Sequence, residues 1–541
     1  MARLLHGRLV VSGTLRAERA LHVGGGEEGT DTDLPLARDG RGDLYVPGTS
    51  LAGVLRGWWR GAFDEAVTRK IWGFQDRPDN GARPSQGHAS RVQVEDGVVT
   101  LPAGARVALR DGVGIDREWG VAAPHIKYDR AVLPAGSRVA LRLALELPDG
   151  EPGEDARAMT GHLLAALGRG ELRLGAARTR GLGRVRLEEE TAIILEQSLN
   201  RRAGVLAVLR APQLLESGEP RTIAELIGAA PDLRPLPAPW VRIAIAWEPR
   251  GPLMVKAGAD GLAIDSLPCV EPGPPGLALL LPGSSVKGAL RSHAERIVRT
   301  VIDLPLGLAS RPAPDPFLEQ LEVPLVEWLF GARAKGKASG RHAGYGTGTS
   351  DGTPEPRPGR GALSVDDCFG IATVRPDRWD EVVQAEDSRA ATEALRAAGL
   401  DHWTNTFHVA VDRWTGGAAT GLLYTVLEPH GIAWEPIELA VDLARIQEDL
   451  RRPALSLLFL VLDDLVAGRV PLGFATNRGM GSVRVRRAHI EASDGFTLSL
   501  EGAHATIECE AGSFLRGLPP QVQEALAVEW GNWIATSERR R

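Results

Sequence analysis

The sequence predicts an α+β protein in which one domain is written twice. Three observations carry this. A Pro-Gly-hydroxyl turn running into an amphipathic helix occurs at Val46-Pro47-Gly48-Thr49-Ser50-Leu51-Ala52-Gly53-Val54-Leu55-Arg56 and again at Leu281-Pro282-Gly283-Ser284-Ser285-Val286-Lys287-Gly288-Ala289-Leu290-Arg291. Apolar residues alternate with strand period at Val139, Leu141, Leu143, Leu145 and Leu147, and again at Val241, Ile243, Ile245 and Trp247. Each half closes on a basic, glycine-rich turn, Arg178 to Arg186 and Thr476 to Arg484.

A chain of 541 residues is too long for one core and accommodates two to four domains. Its 43% hydrophobic and 24% charged residues are the composition of a globular protein. A net charge of -6 argues against a general nucleic-acid coat, while leaving room for a local basic groove. Cys269, Cys368 and Cys509 lie far apart, so neither a zinc site nor a disulfide framework follows, which suits a reducing cytoplasm. Met1 to Val11 alternates like a strand rather than a signal peptide, and no apolar run reaches membrane-spanning length. A cytoplasmic protein without a membrane partner is expected.

In chain order, Leu5 to Val11 reads as a strand, and Leu15 to Val23 runs into Gly24-Gly25-Gly26. A polar loop holding Asp31 and Asp33 precedes Leu34-Pro35-Leu36. The first helix shows one face of Leu51, Val54, Leu55, Trp58, Ala62, Phe63, Ala66 and Val67 and ends near Ile71-Trp72-Gly73. Strand-like Val92 to Asp96 follows, then Gly114-Ile115-Asp116-Arg117, the alternating strand, and a short helix from Met159 to Leu167. The second half repeats these landmarks. Leu329-Phe330-Gly331 answers Ile71-Trp72-Gly73, Leu363 to Asp367 answers Val92 to Asp96, and Val411-Asp412-Arg413 answers Ile115-Asp116-Arg117. The growing separation requires insertions, at Arg333 to Gly361 and as an extra helix at Ala385 to Leu400. The expected division is a first domain over 1–188, a connecting segment over 189–239, a second domain over 240–487 and an extension over 488–541. Strands flanking a capped helix, further strands, a second helix and a terminal turn give the ferredoxin-like order.

The hydroxyls at the two turns can cap the first helical N–H groups. A helix N-terminus is also a seat for phosphate, with Ser50, Arg56, Ser285, Lys287 and Arg291 at hand; a plain capped helix fits the same residues. In Arg180-Gly181-Leu182-Gly183-Arg184 and in Arg478-Gly479-Met480-Gly481, glycines permit close approach of backbone to a phosphate and arginines supply charge. A tight hairpin turn fits those glycines as well.

Pro-Gly-Ser/Thr-Ser-x-x-Gly-x-Leu-Arg combined with Arg-Gly-x-Gly-x-Val-Arg resembles the RAMP superfamily of CRISPR-associated proteins. Gly114-Ile115-Asp116-Arg117, Val411-Asp412-Arg413 with Thr415-Gly416-Gly417-Ala418, and Asp33 to Asp39 resemble the Cas-seven-type backbone subunits of type III effector complexes, here fused in tandem. The resemblance implies two RAMP domains that hold CRISPR guide RNA beside other type III subunits. It also implies a thumb hairpin in each domain that wedges into the guide–target duplex. Trp119, His125, Lys127 and Tyr128 suit that wedge, as does Trp414 in the second copy. In target-cleaving members a loop aspartate lies beside the displaced nucleotide. Asp33 and Asp265 match that position, with Asp31 a rival and turn-capping the plain alternative. The implied activity is cleavage of complementary target RNA with a divalent ion (Mg or Mn) and no organic cofactor. A structural subunit that cuts nothing and a RAMP endoribonuclease that matures the guide precursor are the other readings. Asp116 and Asp412 are expected to brace the thumbs through their neighbouring arginines. His22 either touches RNA or is packed.

Overall fold

The computed structural model describes residues 5–25, 32–75, 87–210, 217–258, 260–273, 276–306, 317, 320–332, 359–493, 504–509 and 512–539. The Arg333–Gly361 insertion lies almost wholly outside these residues, and so does Asp31. The chain forms two compact units. One comprises 1–109, 129–178 and 182–237; the other comprises 110–128, 179–181 and 238–541.

In the first unit the central strand Gly7–Ala17 pairs antiparallel with Arg138–Leu147 on one side and with Val185–Leu187 and Ile193–Ser198 on the other. Val92–Val94 adds outside Arg138–Leu147, Val92 lying opposite Leu145. The predicted alternation holds, since Val139, Leu141, Leu143, Leu145 and Leu147 are all buried. They join one core with Leu51, Leu55 and Trp59 of helix Gly48–Ala62 and with Met159, Leu163 and Leu167 of helix Glu151–Gly168.

The second unit repeats this order. Trp240–Pro249 is central, flanked by Ile437–Asp442 and Val483–Ala492, with Leu363–Asp366 outside Ile437–Asp442. Helices Gly283–Val301 and Glu448–Val466 supply Val286, Leu290, Leu458 and Leu462 to its core. The C-terminal helix Pro520–Arg539 closes the unit through Val522 and Leu526, with Trp530 stacked on Trp533. Both halves are thus mixed α/β, built from the same strand order. Among the described residues no helix is long and apolar enough to cross a membrane.

Three local expectations change. The first helix stops at Ala62, and a second, Glu65–Trp72, begins where the Asp64 carboxylate accepts from the Ala66 and Val67 N–H groups. The apolar period runs through this break and hides it. The short helix expected at Met159–Leu167 starts earlier, at Glu151, with proline in its first turn. Finally, no hydroxyl caps the two matched helices. Pro47 and Pro282 stand at the caps, and the N–H groups of Gly48 and Gly283 go to Asp96 Oδ1 (2.6 Å) and Asp367 Oδ1 (2.8 Å). Glycine is required there because each helix end presses on a strand. A Cβ would lie 2.5 Å from the Val94 carbonyl oxygen at residue 48 and 2.3 Å from that of Val365 at residue 283.

The closing turns make the same demand. Gly183 and Gly481 have φ of +90° and +78°, and a Cβ would come within 2.2 Å of Leu174 O and 2.1 Å of Leu472 O. Gly479, at φ +92°, has open space. In denaturant unfolding, Gly481→Ala is expected to cost more than about 2 kcal/mol, combining strain with a backbone clash. Gly479→Ala, with strain alone, is expected to cost about 1 kcal/mol.

Candidate nucleic-acid interface

Each half carries a two-stranded hairpin. The first is Ala108–Ile115 with Ala122–Val132, and the second is Thr404–Val411 with Ala418–Glu428. Their tips are held by aspartate rather than by an Asp–Arg pair. Asp116 Oδ1 accepts from the Glu118 and Trp119 N–H groups, and Asp412 Oδ1 accepts from that of Trp414. The Trp414 N–H and the Thr415 hydroxyl hold the Asp412 carboxyl below the usual carboxylate range. Arg117, expected to pair with Asp116, donates instead to Glu295 at 2.5 Å. The tips project tryptophan into solvent, with Trp119 74% and Trp414 95% exposed.

At the foot of each hairpin stands the loop aspartate. The Asp33 N–H donates to Asp129 Oδ1 (2.7 Å), and the Asp129 N–H donates back to Asp33 Oδ2 (2.9 Å). In the second unit the Asp265 N–H donates to Thr425 Oγ1 (3.0 Å), and the Thr425 N–H donates to Asp265 Oδ2 (2.7 Å). Parallel bridges follow at the next residues, Leu34 with Arg130 and Ser266 with Val426. The two clasps are the same device. Both loop aspartates are exposed. Their partners, Asp129 and Thr425, were not singled out from the sequence.

The other expected contact residues divide. Arg180 is exposed, and Lys127 is exposed and paired with Asp111 at 2.9 Å. Arg478 is exposed, hydrogen-bonded to the Tyr424 hydroxyl and 5.9 Å from the Tyr424 and Phe474 ring centroids, with Tyr424 stacked on His408. Arg184 pairs with Glu18 at 2.9 Å, and Arg56 donates to the Gly73 carbonyl. Ser50 and Ser285 lie half-buried in the first turns of their helices.

Lys287 and Arg291 do not meet the expectation. Lys287 is 5% exposed, and its ammonium donates to the Leu363 carbonyl at 2.6 Å. Arg291 donates to Glu295 and to the carbonyls of Gly331 and Leu321. Nor do three of the four glycines offer room to a phosphate. Gly183 and Gly481 pack on carbonyls, and the space beside Gly181 is filled by Asp367. With Asp96 and Asp367 on the first N–H groups, the helix starts already hold a negative charge and disfavour an anion. His22 is packed, its Nδ1 2.7 Å from Ala131 O, and burial lowers its pKa.

The second unit also encloses Arg110. Its guanidinium donates to both carboxylate oxygens of Glu271 and to Asp367 Oδ2 at 2.7 Å. All three side chains are nearly or wholly buried, and burial pushes the Asp367 carboxyl up against the opposing pull of the guanidinium.

A duplicated α+β domain, with a hairpin and an aspartate clasp in each copy, defines the class of protein. The profile of the RAMP superfamily matches residues 14–186 and 278–484, one match per copy, and the chain belongs to that superfamily. No curated protein matches it. RAMP proteins act with CRISPR RNA in Cas complexes, and membership brings a CRISPR-associated, RNA-binding role. Some members are endoribonucleases.

Two stability measurements follow. Arg110→Ala leaves Glu271 and Asp367 buried and unpaired, and should cost about 3–5 kcal/mol in denaturant unfolding of the second unit. Burial, with nearby Arg180, lowers the Lys287 pKa to about 7. Above that pH the folded chain has shed a proton that the unfolded chain keeps. Stability should therefore rise from about pH 7 to 10, by roughly 1 kcal/mol per unit, and Lys287→Met should flatten the rise.

Proposed function

We propose that this chain is a guide-RNA-binding backbone subunit of a type III CRISPR effector complex, occupying two adjacent positions and cutting complementary target RNA at Asp33 and Asp265. The carrying observation is the duplicated clasp, which sets an exposed carboxylate at the foot of a hairpin whose tip bears an exposed tryptophan. The matching strand orders of the two units support a reading of both as ferredoxin-like RAMP domains, and the proposed division is 1–188 and 240–487, joined by 189–239 and followed by 488–541. Lys127, Arg180 and Arg478 are the proposed phosphate contacts, with the Tyr424–His408 stack a platform for a base. A cytoplasmic location suits this role.

Cleavage needs little from the protein once a nucleotide is splayed out. The ribose 2′-oxygen attacks the adjacent phosphorus as its proton passes to the carboxylate, and the 5′-oxygen leaves in line and takes a proton from water, giving a 2′,3′-cyclic phosphate and a 5′-hydroxyl. Asp33 with Asp129 offers two carboxylates at one point, hard ligands that suit Mg or Mn. Asp265 with Thr425 offers a carboxylate and a hydroxyl. When bound, the ion would stabilise charge on the phosphate. Among the described residues no group of three or more potential ligands gathers, so RNA and water would complete the set. A structural subunit that cuts nothing is the second reading. It is favoured by one observation: the clasp alone accounts for both aspartates.

Asparagine separates the two, because its oxygen still accepts the clasp hydrogen bond while the charge is gone. In the assembled complex with labelled target RNA, Asp33→Asn and Asp265→Asn should each abolish one set of fragments, slowing that cut at least about a hundredfold. Retention of guide RNA should be unchanged. Fragments unchanged in both variants and in the double variant leave the structural reading standing.

A further inference from the structure

Two helices of the connecting segment treat their apolar residues in opposite ways. Ile223–Gly228 buries Leu226, which joins the core that holds Met159 and Leu163. Arg202–Arg210, with the sequence Arg-Ala-Gly-Val-Leu-Ala-Val-Leu-Arg, buries no residue. Helical spacing puts Gly204 and Val208 on one flank and Val205, Leu206 and Leu209 on another. Gly204 and Val208 are the half-buried members. A Cβ at Gly204 would collide with the Ser198 carbonyl oxygen, so the helix leans on the end of strand Ile193–Ser198 through its least bulky residue. The bulky stripe faces outward, with Val205 and Leu206 each 37% and Leu209 75% exposed. Nor does the helix hold itself. Nine residues are fewer than an isolated helix needs in water, and Arg201 and Arg202 add positive charge at the positive end of its dipole. The sequence has no acidic residue from Leu199 to Leu215. Among the described residues no carboxylate pairs with Arg201, Arg202 or Arg210.

We propose that helix Arg202–Arg210 is a docking element for an acidic protein partner, whose apolar groove takes Val205, Leu206 and Leu209 and whose rim carboxylates meet Arg201, Arg202 and Arg210. Val205 with Leu209, and Leu206 with Leu209, stand at the i, i+4 and i, i+3 spacings of helix-in-groove recognition. The groove supplies the apolar burial that the chain itself withholds, and the rim charges fix the direction of the helix. Carboxylates at its start also favour the helical form, which the arginines there oppose. Other occupants fit less well. Two copies packed helix to helix set arginine against arginine, whether parallel or antiparallel, with no acid between them. RNA would answer the arginines and leave Leu206 and Leu209 in water. A bilayer holds a surface helix by buried apolar area, and three large side chains supply little. The docking helix goes beyond the guide-RNA reading, since neither guide nor target takes part in it.

Hydrogen exchange and crosslinking test this on the full chain. In the purified chain the amide hydrogens of 205–210 should exchange freely. Protection already present there, or gained with phosphatidylglycerol vesicles alone, overturns the proposal. For the second measurement a photo-crosslinking residue replaces exposed Ala207, and the chain is recovered from its native cells and treated with ribonuclease. The expected adduct joins one other polypeptide, at a segment where apolar residues lie among aspartates and glutamates. Its yield should fall about tenfold with Leu206→Glu and Leu209→Glu together, and about fivefold with Arg202→Glu and Arg210→Glu together. The unfolding midpoints of the purified variants should stay unchanged. An adduct to a basic or uncharged segment, to a second copy or to the same chain overturns the proposal, as does no adduct or a yield that the arginine variants leave unmoved. RNA content is measured before the ribonuclease step: its absence counts against the guide-RNA reading, whereas the Ala207 adduct decides the docking helix.

Discussion

The reciprocal pair of hydrogen bonds between a loop aspartate and a hairpin strand is the constraint on which the candidate interface depends. Each clasp joins segments far apart in sequence, 96 residues in the first unit and 160 in the second. Two bonds and the parallel bridge beside them fix both the loop and the hairpin foot. Charge-assisted bonds to backbone N–H groups are stronger than neutral ones, which suits a joint at the surface. The aspartate therefore holds the scaffold and stands where chemistry is proposed. A carboxylate with one oxygen engaged can serve both ends, since it keeps its charge and a second oxygen.

The helix starts show the same economy. Proline sets the entry, glycine lets the helix end meet a strand, and an aspartate from that strand takes the first N–H. In the second unit this aspartate also receives Arg110, so one carboxylate caps a helix and anchors a hairpin. Burying that trio is costly unless every member is paired. The guanidinium meets this by bonding both carboxylates of Glu271 and Asp367.

Much of the architecture was legible in the residues, because period and turn chemistry are local. The alternation from Val139 to Leu147 and from Val241 to Trp247 marks buried strand faces directly. The positions of Asp33 and Asp265 could be read from the order of landmarks. Their partners could not, since a clasp across 160 residues leaves no spacing signal. Lys287 misled for a related reason. A lysine beside an apolar face reads as solvent-facing, and only the fold shows it reaching the Leu363 carbonyl in the interior. The glycines misled differently: their freedom of backbone was evident, but the neighbour that needed the space was the chain itself.

One feature of the chain's order bears on its biosynthesis. Residues 110–128 and 179–181 leave the ribosome long before the strands they join, which begin at Trp240. During that interval Arg110 has no carboxylate pocket to enter, because Glu271 and Asp367 are not yet made. Completion of the second unit then captures segments already made. A nascent or truncated chain ending near Pro237 would carry a hairpin whose Arg110 and Arg117 have no carboxylate seat, since Glu271, Asp367 and Glu295 come later in the chain.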